Sequence, residues 1–208
     1  MSDGIIPFNP LDKVHLAESV CRAMLSQPVV PMVDLEQFEG VGIYAIYYCG
    51  GFPAYRPITE QNRSSRFRAP IYVGKAVPQG ARKGTGLETR GGKGLSKRLL
   101  EHSRSIDQAT NLDLADFHCR YLVVDDIWIP LGESLLIAQF DPLWNKLIDG
   151  FGNHNPGRGR HAGLRPRWDV LHPGRPWAEK CKPRAETVEQ IANDAREYLR
   201  SNPPSLRG

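Results

Sequence analysis

Long apolar runs are missing from this 208-residue chain; the longest are a handful of residues, such as Leu135-Leu136-Ile137-Ala138. A membrane-spanning helix needs about 20 mainly apolar residues, so none is expected. The opening stretch, MSDGIIPFNP, has no basic start followed by an apolar segment. No secretion signal is therefore expected, and the cytoplasm is the expected location. Cysteine is scarce: Cys21, Cys49, Cys119 and Cys181 are far apart, and no pair has C-x-x-C spacing. That argues against a disulfide framework and favours reduced thiols. Internal repeats and long low-complexity tracts are also lacking, and there are too few β-α-β units for a doubly wound sheet.

What is present is an ordinary globular composition, 40% apolar, with an uneven charge. The net charge is only +4, yet two stretches are strongly basic. Residues 75–98 hold Lys75, Arg82, Lys83, Arg90, Lys93, Lys97 and Arg98 against Glu88. Residues 152–184 hold Arg158, Arg160, Arg165, Arg167, Arg175, Lys180, Lys182 and Arg184 against Asp169 and Glu179, interleaved with Trp168 and Trp177. One such stretch is ordinarily a solvated loop. Two of them point to a polyanion, because each phosphate neutralised releases condensed counterions.

Helical spacing of apolar residues predicts helices over 11–26, 95–106, 133–140 and 185–201. β-branched and aromatic content predicts strands over 41–49, 70–77 and 117–125. Residues 50–69, with Gly, Pro, Asn, Ser and four arginines, and 78–94, with six glycines, read as loops. The order α, β, β, α, β, α, then a basic arm and a last helix, is α+β with an antiparallel pair first. Three segments follow: an N-terminal helical arm over 1–40, a core over 41–150 with insertions at 50–69 and 78–94, and a basic extension over 151–208 packed on the core.

Several residues suit chemistry. In LSKRLLEHSRSI, Leu95, Leu99 and Ile106 define a buried stripe, and Arg98 and His102 fall on or beside it. Arg98 suits a phosphate and His102 a proton transfer near neutral pH; a snorkelling edge-of-core pair is the plainer alternative. Glu133 suits either the dipole of a helix N-terminus or Mg²⁺, which takes only one or two protein carboxylates. Asn145 is a turn residue or a donor that orients a site.

The order of these residues is more specific than any one of them. Gly42-Ile43-Tyr44 is followed by Tyr72-Val73-Gly74 with Lys75, then Arg98-x-x-x-His102, Glu133, and Asn145 after Pro142-Leu143-Trp144. Over residues 41–146 this series resembles the GIY-YIG nuclease superfamily. YVGKA is also similar to the matching stretch of its excision-repair subunit. The resemblance implies a three-stranded antiparallel sheet flanked by helices. It also implies phosphodiester hydrolysis with one Mg²⁺ per site, Mn²⁺ being able to substitute. Tyr44 and Tyr72 match the motif tyrosines, Arg98 the helix arginine, Glu133 the metal ligand and Asn145 the late asparagine. His102 stands where many relatives have tyrosine. The insertion at 76–97, this histidine and the basic C-terminal stretch look most like the type II restriction endonucleases that cut CCGCGG. That branch implies double-stranded DNA as substrate, a homodimer matched to a G·C-rich palindrome, and a cognate DNA methyltransferase in the host that is not a bound subunit.

On this reading Tyr44 takes the proton of the attacking water. Free tyrosine titrates near 10, so Tyr44 needs a relay through His102, or Lys75 or the metal to depress its pKa. Arg98 pairs with the phosphate, Lys75 positions it, and Tyr72 positions the water or shares the base role. The remaining tyrosines of VGIYAIYYCGG are expected in packing and on a DNA-facing surface. Three alternatives stand beside this: a repair or mobile-element nuclease of the same superfamily, a non-catalytic DNA-binding protein on the same fold, and a zinc protein using His154, His161, His172 and Cys181, whose spacing matches no usual zinc pattern.

Overall fold

The computed structural model describes residue 9 and residues 11–77, 92–153 and 163–204. A four-stranded antiparallel sheet, in the order β1-β4-β2-β3, lies between two helical layers. Its strands are β1 (Val30–Pro31), β2 (Gly42–Tyr48), β3 (Pro70–Ala76) and β4 (Phe117–Val123).

Strand β2 is central and buried on both faces, which explains its unbroken apolar and aromatic run. Alternation sends Ile43, Ala45 and Tyr47 to one face. There they pack with α1 (Lys13–Leu25) and α4 (Ile129–Phe140) through Cys21, Met24, Ile129 and Leu136. Tyr44, Ile46 and Tyr48 point to the other face. That face meets Leu95, Leu99 and Ile106 of α3 (Gly94–Asp107), Leu143 and Trp144 of α5 (Leu143–Lys146), Trp168 and Leu171 of α6 (Arg167–Leu171), and Ile191 of α7 (Val188–Ser201).

Four expectations change. The sheet has a fourth strand, because Val30-Pro31 pairs with Cys119 and His118 at the edge. Residues 50–69 are not all loop: α2 (Arg56–Asn62) lies within them, with proline in its first turn, where the missing N–H costs nothing. Helix α4 begins at Ile129, not at 133; Pro130 sits in its first turn and Gly132 faces Val20 and Ile43, so two residues that read as breakers are accommodated. Glu133 is consequently in the second turn, and the N-terminal dipole does not account for it. Tyr47 and Tyr48 are packing residues, both buried, and neither faces solvent. The expected loop 78–94 lies outside the described residues from 78 to 91.

The described part of the basic arm is folded onto the core, and its arginines serve the fold. Arg167 pairs with Asp194 and Glu186, Arg184 with Glu186, and Arg165 donates to the carbonyls of Ala178 and Glu179. Arg175 is buried against Asp169. Exposed cations lie instead at Arg63, Arg66, Arg68, Lys97, Lys180 and Lys182.

One buried network joins this arm to the sheet. Asn111 donates its amide to the Leu171 carbonyl, so its oxygen accepts from His172 Nδ1 at 2.9 Å. His172 Nε2 then accepts from the Tyr55 hydroxyl at 2.6 Å, and Tyr55 accepts from the Trp144 indole at 3.0 Å. Both ring nitrogens are committed, which removes His172 from any zinc set; Cys181 is buried with its thiol toward the Trp177 carbonyl, and His154 and His161 lie outside the described residues. Burial pushes the His172 pKa down to about 3, from an ordinary value of 6.5. The unfolded chain therefore binds a proton that the folded chain refuses between those values. The resulting stabilisation is complete above about pH 6.5 and is lost as pH falls toward 3. The melting temperature should fall more steeply from about pH 7 to 4 in the wild type than in His172→Gln, whose amide cannot charge. Parallel curves would show that His172 does not carry this dependence.

Candidate active site

The sheet face above β2 ends in a cluster of polar side chains at the β3 edge. Tyr44 and Gly74 are cross-strand partners, and the Tyr44 ring lies across Gly74. A Cβ at Gly74 would sit 2.4 Å from the Tyr44 hydroxyl, so only glycine leaves room for it. Gly42 is needed for a different approach: a Cβ there would fall 1.9 Å from the Leu122 carbonyl oxygen of β4. Each motif thus has a steric reason for its glycine.

The Tyr44 hydroxyl meets His102 Nε2 at 2.6 Å, with both side chains buried. Tyr72, from the same face of β3, places its ring 6.2 Å from that of Tyr44 and 5.3 Å from the imidazole. Arg98, one helical turn before His102, hydrogen-bonds to both phenols. It also donates to the Gly152 carbonyl at 2.6 Å and lies 3.5 Å from Glu101. The stripe that sequence placed on α3 is therefore real, and its polar members are paired.

Burial is the largest influence on Tyr44 and pushes its pKa well above 10; the neighbouring Tyr72 and Glu133 add to this, and Arg98 opposes it. Tyr72 is shifted up as well, again mainly by burial. This corrects the expectation that Lys75 depresses Tyr44. The cation acting on Tyr44 is Arg98, and the Lys75 ammonium lies 2.6 Å from a Glu133 carboxylate oxygen. Tyr44 accordingly rests as a neutral phenol with an imidazole at hand.

Asn145 also has a definite place. Its side-chain oxygen accepts from the Val73 N–H and its NH₂ donates to the Val73 carbonyl, both at 2.8 Å. Its amide acts as a one-residue strand on the exposed edge of β3, where those groups have no sheet partner. It positions the strand that carries Tyr72, Gly74 and Lys75, and its amide is not aimed into the pocket.

Glu133 fits a hard divalent ion: it is a partly exposed carboxylate whose one described partner is a displaceable ammonium. Among the described residues no group of three or more His, Cys, Asp or Glu side chains is placed to hold a metal. An ion at Glu133 thus needs most of its ligands from water and substrate.

Sequence reading missed the roof of the pocket. Residues 150–153 form a turn closed by Asn153 N–H to the Gly150 carbonyl at 3.0 Å. Phe151 stacks on His102 at 4.5 Å and 16°, and sets its edge against Tyr72 at 5.0 Å. Gly152 lies so close that a Cβ would come within 2.7 Å of the Tyr72 hydroxyl. The one available signal was the Gly-Phe-Gly run in a basic stretch.

The Tyr44–His102 contact can be tested without any assay of function. In Gly74→Ala the added methyl must displace the Tyr44 phenol, so the His102 imidazole NMR signals should move as they do in Tyr44→Phe, with those of His172 unchanged. If His102 does not respond in Gly74→Ala, the steric account of Gly74 is wrong.

Comparison with curated proteins finds no match. A family model described as the Eco29kI GIY-YIG domain matches residues 36–199, from just before β2 into α7. That span takes in both strand motifs, Arg98, His102, Glu133, Asn145 and the 150–153 turn. With the phenol–imidazole–guanidinium cluster on one side of the β3 edge and the carboxylate on the other, the chain belongs to the Eco29kI GIY-YIG family and carries the DNA nuclease domain of a restriction endonuclease.

Proposed function

We propose that this protein is a type II restriction endonuclease that hydrolyses double-stranded DNA at a short, G·C-rich palindrome, CCGCGG being the expected site, as a homodimer with one Mg²⁺ per active site. The observation that carries this is the buried 2.6 Å contact between Tyr44 and His102, with Arg98 on the same phenol. Tyr47, a packing tyrosine, meets a guanidinium at 3.0 Å and Tyr55 an imidazole at 2.6 Å; Tyr44 has both, with Glu133 acting on it as well.

The raised Tyr44 pKa shapes the mechanism. Burial favours the neutral phenol, so Tyr44 is given the part of a relay. The attacking water gives its proton to the Tyr44 oxygen while the Tyr44 hydroxyl proton passes to His102 Nε2. The hydroxide forms its bond to phosphorus, and the bond to the 3′-oxygen breaks; that oxygen is protonated from solvent. Tyr72 orients the water from its place beside Tyr44. Arg98 pairs with the phosphate. Glu133 would hold the divalent ion, Mg²⁺ or in its place Mn²⁺, which would supply charge neutralisation. Lys75 neutralises Glu133 and is placed to serve the phosphate. Asn145 acts through the β3 backbone.

The DNA surface is assigned to exposed cations at Arg63, Arg66, Arg68, Lys97, Lys180 and Lys182. Arginine to guanine is the commonest specific major-groove contact, and a G·C-rich site employs several. Two-fold symmetric cutting requires two active sites. A cognate methyltransferase then protects the host.

The test is cleavage of long unmethylated DNA in Mg²⁺ with fragment ends sequenced. Wild type should give discrete fragments sharing one palindrome. Glu133→Gln should abolish cutting while retaining salt-sensitive binding, and His102→Ala should slow it by about 10²–10⁴-fold, the usual value of a proton-transfer group. Binding without cutting by the wild type would leave a DNA-binding protein; cuts at branched structures only would leave a repair nuclease.

A further inference from the structure

The Arg175 side chain is buried, 68 or more residues along the chain from α3 and β3. Its guanidinium makes five hydrogen bonds. Two go to Asp169, at 2.6 and 2.5 Å. Three go to carbonyls of one turn: Gly150 at 2.9 Å, Phe151 at 3.1 Å and Asn153 at 3.2 Å. The same guanidinium lies 4.5 Å from the Trp168 ring and 4.7 Å from the Trp177 ring. Every direction in which it could move is thus closed by a ring or a hydrogen bond.

The turn it grips is the roof of the active site. Phe151 stacks on His102, and the Gly152 carbonyl accepts from Arg98. Gly152 is also the one residue of the turn whose carbonyl Arg175 leaves to the pocket. The turn is therefore held from behind by one arginine and in front holds another. We propose that Arg175, fixed by Asp169, is a positioning residue that sets Arg98 and His102 through the 150–153 turn. This rests on the nuclease reading given above.

The buried His172 network supplies the contrast. It too is a satisfied internal chain, but it meets the roof through a ring contact, Trp144 with Phe151 at 4.5 Å, whereas Arg175 holds the turn by hydrogen bonds to three of its carbonyls. Arg175 ends, after one turn, on the groups assigned to phosphate and proton. Lysine at 175 keeps the charge but has no planar fork to span Asp169 and three carbonyls together.

The experiment measures kcat and KM on cognate DNA, melting temperature, and His102 imidazole NMR signals in the free protein, for wild type, Arg175→Lys and Gly152→Ala. Gly152→Ala leaves the buried pair intact and covers failure of Arg175→Lys to fold, since the side chains nearest its Cβ are Tyr72 and Arg98, at 2.7 and 3.3 Å. Both variants should shift the His102 signals and lower kcat by about 100-fold, the effect of a misplacement near 1 Å, with KM within about 2-fold of wild type. In an Arg98→Ala His102→Ala background, Arg175→Lys should cost almost nothing further in kcat, because nothing remains to be positioned. Unmoved His102 signals in Gly152→Ala and in folded Arg175→Lys, or an undiminished loss in that background, would overturn the proposal. A wild type that does not cut would instead sink the nuclease reading, and the His102 signals would still decide whether the turn sets the pocket.

Discussion

Two 2.8 Å hydrogen bonds from Asn145 to the backbone of Val73 hold an edge strand that, among the described residues, has no strand neighbour on that side. An edge strand is ordinarily covered, twisted away or blunted by charge, because its free N–H and C=O groups template wrong pairings. Here β3 cannot be covered without burying Tyr72 and Lys75. A single side-chain amide satisfies the N–H and the C=O of one residue of that edge. Gly74 next to it lets the Tyr44 ring cross the strand toward that edge. The pocket therefore depends on a strand that is paired enough to be rigid and exposed enough to be reached.

The molecule holds two tyrosine–histidine pairs with the same 2.6 Å separation, and their surroundings give them different parts. Around Tyr55 and His172 are Trp144 and Asn111, so every polar atom has a neutral partner and the imidazole is held uncharged. Around Tyr44 and His102 are Arg98 and, nearby, Glu133: fixed charges that influence the phenol in opposite directions. Geometry alone does not separate a structural pair from a reactive one. The charges within reach of it do.

Much of the core was legible in the sequence, because pleat and helix periods write burial directly. The alternation in GIYAIYY and the Leu95, Leu99, Ile106 stripe both reappear as packed faces. Glycines were legible as signals but not as causes: that Gly74 makes room for a phenol and Gly42 for a carbonyl follows only from cross-strand register. Pro130 hid the first turn of α4, since proline reads as a stop inside a helix and is tolerated at its start. Pairings across the chain, such as Lys75 with Glu133 or Arg98 with Gly152, leave no local trace.

The arginines show the same limit most clearly. In sequence, Arg165, Arg167, Arg175 and Arg184 look like a polyanion-binding arm. In the structure each is engaged with carboxylates or carbonyls of its own chain. Guanidinium suits both tasks for one reason: its planar fork matches the oxygens of a phosphate, a carboxylate or a turn of carbonyls equally well. Composition therefore counts the forks and cannot say which oxygens they meet. Exposure separates the two populations. The arginines turned inward shape the extension that roofs the pocket, and those of the 63–68 loop remain outward, within reach of solvent or a partner.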